Sequence, residues 1–203
     1  RDIIESCAPE KNPTKRSFKS LSGVESFINE LNGEYVIKYD GLMGGKGVKI
    51  SGEHLPSIKD GLKYAQSLVD MGGSFLVEEK LVGEEFSLMS FVDGKTCCHM
   101  PIVQDHKRAF EGDVGPNTGG MGTYSFANHS LPFLKNREVL DAQKTNELVA
   151  KQLLKKTGVP FVGVLYGGFM LTQRGVKVIE YNARLGDPEA MNVLCLMKTD
   201  FLK

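Results

Sequence analysis

Within VIEYNARLGDPEA, residues 178 to 190, three polar side chains fall at alternate positions: Glu180, Asn182 and Arg184. In an extended chain, residues two apart share a face, so a carboxylate, an amide oxygen and a guanidinium would stand in line. Glu180 and Asn182 carry hard oxygen atoms of the kind Mg²⁺ prefers, and Mg²⁺ commonly bridges protein carboxylates and phosphates. Arg184 would add positive charge beside them. Taken singly, each residue could equally serve an ion pair on a sheet face.

Two further stretches carry groups suited to an anion. VIKYDGLMGGKGVKI places Lys38 on a strand, then Gly41, Gly44, Gly45, Lys46 and Gly47 before the next strand. Glycines let backbone N–H groups approach a phosphate, and lysine supplies charge. The loop is not of Walker A type, because no helix opening with Ser or Thr follows Lys46; a plain glycine-rich hairpin is the alternative. FLVEEKLVGEEFS sets Glu78, Glu79, Glu84 and Glu85 about a turn at Gly83. Those carboxylates could hold ribose hydroxyls, and backbone groups at the strand end could meet an adenine edge. A solvated charged turn is the competing explanation.

QDHKRAFEGDVGPNTGGMG, residues 104 to 122, contains five glycines and one proline, which predicts a long irregular loop, neither helix nor strand. It nevertheless gathers Asp105, His106, Lys107, Arg108, Glu111, Asp113 and Asn117. Loops of that length inside a compact domain are usually functional or disordered. The adjacent Lys107 and Arg108 suit an anionic substrate, and Gly119 with Gly120 could offer backbone donors. Cys97, Cys98 and His99 are contiguous on a presumed strand, where alternate side chains face apart, so packing rather than chelation is expected of them.

The elements that must position these groups can be read from periodicity. SLSGVESFINEL predicts a helix with a capping box from Ser22 to Glu25 and an apolar face of Val24, Phe27, Ile28 and Leu31. EYVIKYD and GVKIS read as strands, HLPSIKDGLKYAQSLVD as an amphipathic helix and SFLVEEK as a further strand. Beyond them come a strand in EEFSLMSFVDG, a long helix ended by Gly158, and two strands about a turn at Arg174 and Gly175. Residues 1–30 accordingly read as a linker and lead-in helix, 31–80 as a small α/β unit, and 81–203 as a larger, more antiparallel one.

Composition narrows the partners. Lys plus Arg and Asp plus Glu each total 25, so no global field recruits nucleic acid or an acidic membrane. No apolar run approaches the roughly 18 residues needed to span a bilayer. Four scattered cysteines, Cys7, Cys97, Cys98 and Cys195, match neither a zinc site nor a disulfide framework, which favours a reducing, intracellular setting. An opening at Arg1 rather than Met suggests a fragment.

Taken together, VIKYDGLMGGKGV, VEEKLVGEEFS, QDHKRAFEGDVGPNTGGMGTYS, GVLYGGFMLT and VIEYNARLGDPEA resemble the phosphoribosylamine–glycine ligases, also called glycinamide ribonucleotide synthetases, of the ATP-grasp superfamily. The likeness runs from about residue 20 to the C-terminus. The QDHKR to GGMG block is specific to this ligase, whereas the lysine-glycine loop and the Glu-x-Asn pair are shared across the superfamily. The resemblance implies an α+β, ATP-grasp fold in which two α+β subdomains grip ATP between them. It implies the joining of glycine to 5-phosphoribosylamine with ATP, through glycyl phosphate, in de novo purine synthesis in the cytoplasm, with Mg²⁺, or Mn²⁺ in its place, as the metal. No nucleic acid and no membrane is expected as a partner, and oligomeric state is not indicated.

Carried over by residue, the resemblance puts Lys38 on the α and β phosphates and Gly44, Gly45, Lys46 and Gly47 in a loop closing over them. Glu78 and Leu81 would meet the adenine edge through backbone groups, with Glu79 beside them and Glu85 near the ribose. Glu180 and Asn182 would be the metal ligands, and Arg184 would offset charge on the transferred phosphoryl group. Asp105, His106, Lys107, Arg108, Asp113, Asn117, Thr118 and Gly119 would hold the two substrates. Relatives usually read Leu-Ala-Ala-Gly-Lys where this chain has Leu42 to Lys46, and Phe at Tyr181 and Leu185. GVLYGGFML lacks the extra acidic metal ligand of many ATP-grasp ligases. The family's N-terminal and C-terminal domains have no counterpart here, so the isolated chain is expected to turn over poorly or not at all. Another ATP-grasp carboxylate–amine ligase, or a nucleotide-binding module without catalysis, stays open as an alternative.

Overall fold

A computed structural model gives the architecture and describes residues 1–41, 47–112 and 114–201. In chain order its first elements are α1 (Asp2–Cys7), a 3-10 turn (Pro9–Lys11), β1 (Lys15–Phe18), α2 (Val24–Glu30), β2 (Tyr35–Tyr39), β3 (Val48–Ile50), α3 (Ile58–Asp70) and β4 (Phe75–Glu79). Then follow β5 (Gly83–Asp93), β6 (Cys97–His99), β7 (Gln104–Phe110), β8 (Val114–Tyr124), α4 (Asn136–Thr157), β9 (Val162–Thr172), β10 (Gly175–Asn182) and α5 (Glu189–Leu194). The chain divides into two units: Pro13–Leu81, and Arg1–Asn12 together with Val82–Lys203.

The smaller unit is an antiparallel sheet in the order β1-β4-β2-β3 with α2 and α3 packed on one face. Alternation decides which side chains enter its core. Tyr35 and Ile37 on β2, and Phe75 and Val77 on β4, are buried with Phe27, Ile28 and Leu68 from the helices. Helix α3 begins at Ser57, whose hydroxyl accepts from the Asp60 N–H at 3.2 Å. Gly61 lets α3 close on β2, because a Cβ there would run into the Tyr35 hydroxyl.

Two sequence expectations need correction in this unit. Residues 13–30 are not a linker and lead-in helix outside it, since β1 forms the sheet edge and α2 supplies Val24, Phe27 and Ile28 to the core. The Ser22–Glu25 capping box does not form. Gly23, at φ 79°, is the N-cap, which puts Glu25 at the second helical position, and no side chain caps the helix. Half of such an arrangement occurs on α4 instead, where the Lys135 N–H donates to Glu138 Oε2 at 2.7 Å while the lysine side chain has no acceptor to return the bond.

The larger unit is built on an antiparallel sheet in the order β10-β9-β5-β6. Helix α4 covers one face, burying Ala142 and Val149 against Phe86, Leu88, Phe169, Val176 and Val178. It ends at Gly158, whose φ of 73° is the left-handed conformation suited to a helix C-terminus. The first twelve residues belong here: Arg1 Nη1 donates to the Val178 carbonyl at 2.7 Å, and Lys177 Nζ to the Glu10 carbonyl at 2.5 Å. No described helix is long and apolar enough to cross a membrane.

The glycine-rich 104–122 stretch is not an irregular loop. β7 and β8 form a two-stranded antiparallel ribbon, pairing Asp105 with Thr123, His106 with Gly122 and Arg108 with Asn117, with register shifts on either side of Arg108. Such shifts require extra residues on one strand, and glycine supplies the backbone angles: Gly115 has φ 90° and Gly120 φ 135°. A ribbon that buries little has no need of alternating hydrophobic side chains, so composition argues against it where geometry does not.

Candidate active-site groups

In the smaller unit, β2 and β4 set Val36 opposite Glu78 and Lys38 opposite Leu76. These four share the sheet face away from the helices. The diagonal brings Lys38 Nζ to 2.9 Å from Glu78 Oε2, and Glu78 is only 2% exposed. Glu78 is flanked in the sheet by Lys15 on β1 and Val36 on β2. Glu79 Oε1 accepts from the Thr14 N–H at 3.1 Å, while Lys80 donates to the Ser51 carbonyl at 3.1 Å and pairs with Glu34. Leu81 is half-buried just beyond β4. Gly47 is buried, its carbonyl accepting from the Tyr39 N–H at 2.9 Å. Gly44, Gly45 and Lys46 lie outside the described residues, as does Asp113.

In the larger unit, β10 explains the alternating polar face noted above. Val178 pairs with Phe169 and Glu180 with Gly168, so two residues on β10 advance against one on β9, with Ile179 as the extra residue of a bulge. Val178 therefore enters the core under α4, whereas Glu180 and Asn182 emerge on the opposite face. There Asn182 Nδ2 donates to Glu180 Oε1 at 3.0 Å. With the amide turned, Asn182 Oδ1 and the Glu180 carboxylate would converge, a donor set that suits Mg²⁺ completed by water and phosphate oxygens. Among the described residues, no cluster of three or more His, Cys, Asp or Glu could hold a metal alone.

Tyr166 on β9 is the hub of this face. It stands opposite Asn182, its ring lies 5.8 Å below the Arg184 guanidinium, and its hydroxyl donates to Glu189 Oε1 at 2.7 Å. Arg184 is exposed and also donates to the Leu185 carbonyl at 3.0 Å. Burial first, then the Glu189 and Glu180 carboxylates, drive the Tyr166 phenol well above its ordinary range. Glu189, at 3% exposure, is reached through the cis Asp187–Pro188 bond at the start of α5.

The β7–β8 ribbon brings its own charges to this neighbourhood. Lys107 Nζ lies 2.5 Å from Glu85 Oε1, and Gln104 Nε2 donates to the Glu85 carbonyl at 3.0 Å. Burial presses the Lys107 ammonium down, but Glu85, Asp105 and Glu180 outweigh it and the net direction is up. Asp105 moves the other way from a typical carboxylate: burial, then the Glu189 charge, push it up to about 6 against the pull of Lys107. Its Oδ1 is buried without a hydrogen-bond partner. Thr118 Oγ1 donates to the Lys107 carbonyl at 2.9 Å and accepts from the Gly120 N–H at 3.1 Å.

The remaining ribbon residues are placed more peripherally. His106 is exposed and stacks on Tyr124, Arg108 donates to the Gly115 carbonyl at 3.0 Å, and Asn117 and Gly119 are exposed. The structure thus brings together Glu85, Asp105, Lys107, Glu180 and Asn182. Sequence reading misses Tyr166 and Glu189. GVLYGGFML and GDPEA contain them in plain view, yet nothing in spacing tells a buried Tyr–Glu pair from core packing and a helix start.

Residues 4–190 match the family model for the ATP-grasp (A) domain of phosphoribosylglycinamide synthetase. The phosphoribosylamine–glycine ligase of Methanosarcina barkeri is 46% identical over 202 residues, covering 100% of this chain and 46% of that protein. That of Methanococcoides burtonii is 51% identical over 202 residues, again 100% of this chain and 46% of the relative. The chain therefore spans about half the length of the curated relatives it matches. Among solved structures, the phosphoribosylamine–glycine ligase of Thermotoga maritima superposes with a TM-score of 0.80 at 30% identity, covering 96% of this chain and 49% of that one.

Proposed function

Because the chain belongs to the phosphoribosylglycinamide synthetase ATP-grasp domain family, we propose that it forms the ATP-using part of a cytoplasmic ligase joining glycine to 5-phosphoribosylamine. The products are glycinamide ribonucleotide, ADP and phosphate. The observation that carries this reading is the Tyr166 face, where an Asn–Glu oxygen pair stands beside an arginine and the ribbon's lysine.

A carboxylate acylates poorly because its oxygen is a bad leaving group. In the proposed sequence a glycine carboxylate oxygen attacks the γ-phosphorus of ATP, releasing ADP and forming glycyl phosphate. The amine of phosphoribosylamine then adds to the glycyl carbonyl, loses a proton and expels inorganic phosphate. Bound Mg²⁺ would supply charge neutralisation at the phosphate oxygens, with Glu180 and Asn182 as its protein ligands.

The chain's own groups do the rest. Lys38, steadied by Glu78, offers a fixed cation to phosphate oxygens, and Gly47 with its neighbours Gly44, Gly45 and Lys46 would complete that cradle. Glu79, Leu81 and Glu85 are assigned to the adenosine moiety. Arg184 offsets charge on the phosphoryl group in transfer. The ribbon, through Asp105, His106, Lys107, Arg108, Asn117, Thr118 and Gly119, holds the two substrates together with Asp113, and Asp105 and Glu189 offer their carboxyl groups to an amine.

The test is ADP release by the protein encoded in full, with Mg-ATP and with glycine and freshly generated phosphoribosylamine added singly and together. Release that needs both substrates, with glycinamide ribonucleotide in the mass spectrum, is the expected result. No release despite demonstrated nucleotide binding rejects this substrate pair.

A further inference from the structure

Asn146 sits in the middle of α4, fully buried at 0% exposure, where an apolar residue would be the default choice. Its side chain is saturated by strands of the sheet beneath. Nδ2 donates to the Leu88 carbonyl at 3.2 Å and to Ser90 Oγ at 2.9 Å on β5. Oδ1 accepts from the Tyr181 hydroxyl at 2.9 Å on β10. β9 contributes by absence: a Cβ on Gly167 would stand 2.8 Å from Asn146 Oδ1. The network continues outward, since Ser90 Oγ lies 2.8 Å from His99 Nδ1 on β6.

Tyr181 lies between Glu180 and Asn182 and follows the bulge at Ile179. Neighbours on a strand face opposite ways, so Tyr181 on the α4 side is the condition for Glu180 and Asn182 on the other. A bulge is where register is least constrained, and a slip of one residue would exchange the two faces. Apolar packing keeps the Tyr181 ring inside, edge-on to Phe169 at 6.2 Å, but such contacts are tolerant of sliding. A hydrogen bond to a fixed, buried acceptor is not.

We infer that Asn146 is a positioning residue for the Glu180–Asn182 pair: by holding the Tyr181 hydroxyl, it locks the register of β10 beyond its bulge and keeps both oxygen ligands turned to one face. The inference rests on the metal-binding role proposed for those two residues. It carries a specific corollary about pairing. Tyr181→Phe leaves Asn146 Oδ1 buried without its donor, and Asn146→Leu takes the acceptor from the Tyr181 hydroxyl and the donor from the Leu88 carbonyl and Ser90 Oγ, so either change removes the same lock.

The experiment uses the protein encoded in full and Mn²⁺ as the probe, with ADP present and free Mn²⁺ read by electron paramagnetic resonance. Tyr181→Phe, Asn146→Leu, the double variant and Glu180→Gln are compared at a temperature where circular dichroism shows each folded. Each single pin variant is expected to bind Mn²⁺ about tenfold more weakly, the scale of losing a group that orients a metal ligand. The double variant, which lacks the same hydrogen bond, is expected to bind about as weakly as either single variant. Single variants that bind Mn²⁺ like the wild type while melting lower would overturn the inference, as would a double variant that binds like the wild type or whose loss is the sum of the two single losses. Glu180→Gln separates the two ideas: if it binds Mn²⁺ normally, the ligand assignment itself fails and the inference falls with it. Should Asn146→Leu not fold, Tyr181→Phe, which removes a single oxygen atom, decides the matter.

Discussion

Lys38 and Glu78 form a 2.9 Å ion pair across β2 and β4, and the acid is almost wholly out of contact with solvent. Taking a cation away from a buried carboxylate is costly, whereas the intact pair adds little net stability. Lys38→Met is therefore expected to destabilise the protein by about 2–3 kcal/mol, below the roughly 3–5 of a fully buried pair, because Lys38 retains 23% side-chain exposure. Lys38→Arg should keep most of the stability. Urea unfolding of the three proteins checks this, and an unchanged midpoint for Lys38→Met would show the pair to be energetically idle.

Asp105 should impose a pH dependence of unusual sign for a carboxylate. Its folded-state value of about 6 exceeds the ordinary 3.8, because burial and Glu189 oppose its charge. The native state therefore holds this proton more tightly than the unfolded chain. The associated stability is fully present below about pH 4 and is lost as pH rises through about 6. Asp105→Asn, a permanently neutral substitute, is expected to melt higher than the wild type near pH 7.5 and equally near pH 4. Melting curves across that range test it, and an offset independent of pH refutes it.

Tyr166→Phe removes only the hydroxyl that donates to Glu189, yet the acid is 3% exposed and has lost that donor. A hydrogen bond to a charged group is worth roughly 1.5–3 kcal/mol, so a loss of about 2 kcal/mol is expected. Adding Glu189→Gln should return much of it, since the neutral amide tolerates the vacancy better. Denaturation of the single and double variants measures the coupling.

Gly120→Ala should harm ligation more than stability. Gly120 has φ 135°, and a Cβ there would collide with the Pro188 ring and stand 3.1 Å from Asp105 Oδ1. The ribbon must shift to admit it, at a cost of about 1–3 kcal/mol. Hydrogen exchange is expected to rise in residues 114–124 while the sheet of β5, β9 and β10 stays protected. An active variant with native exchange would contradict this placement of the ribbon.

What could be read beforehand follows from the range of each interaction. Glu180 and Asn182 are two apart, so alternation alone announces a shared face; the bulge that turns this face away from Val178 leaves no mark, because it depends on pairing with Phe169 and Gly168. Gly158 ends α4 by a local backbone property and is visible for that reason. The 104–122 ribbon is missed because glycine weakens strand propensity while permitting the very bulges used here. Asn146, Tyr166 and Glu189 acquire meaning only through partners 23 to 58 residues away.

The division of the larger unit has a consequence during synthesis. Residues Arg1–Asn12 leave the ribosome well before the rest of the larger unit, and Glu10 meets Lys177, 167 positions later, only when β10 has been made. At ordinary elongation rates that is roughly ten to thirty seconds. Pro13–Leu81, an uninterrupted segment, can complete its own sheet within that interval. The nascent chain therefore carries a finished smaller unit and, ahead of it, the α1 segment, whose Ile3, Ile4 and Cys7 still wait for α4. Chaperone capture of stalled nascent chains should concentrate on the α1 segment, and a translational pause would lengthen its exposure.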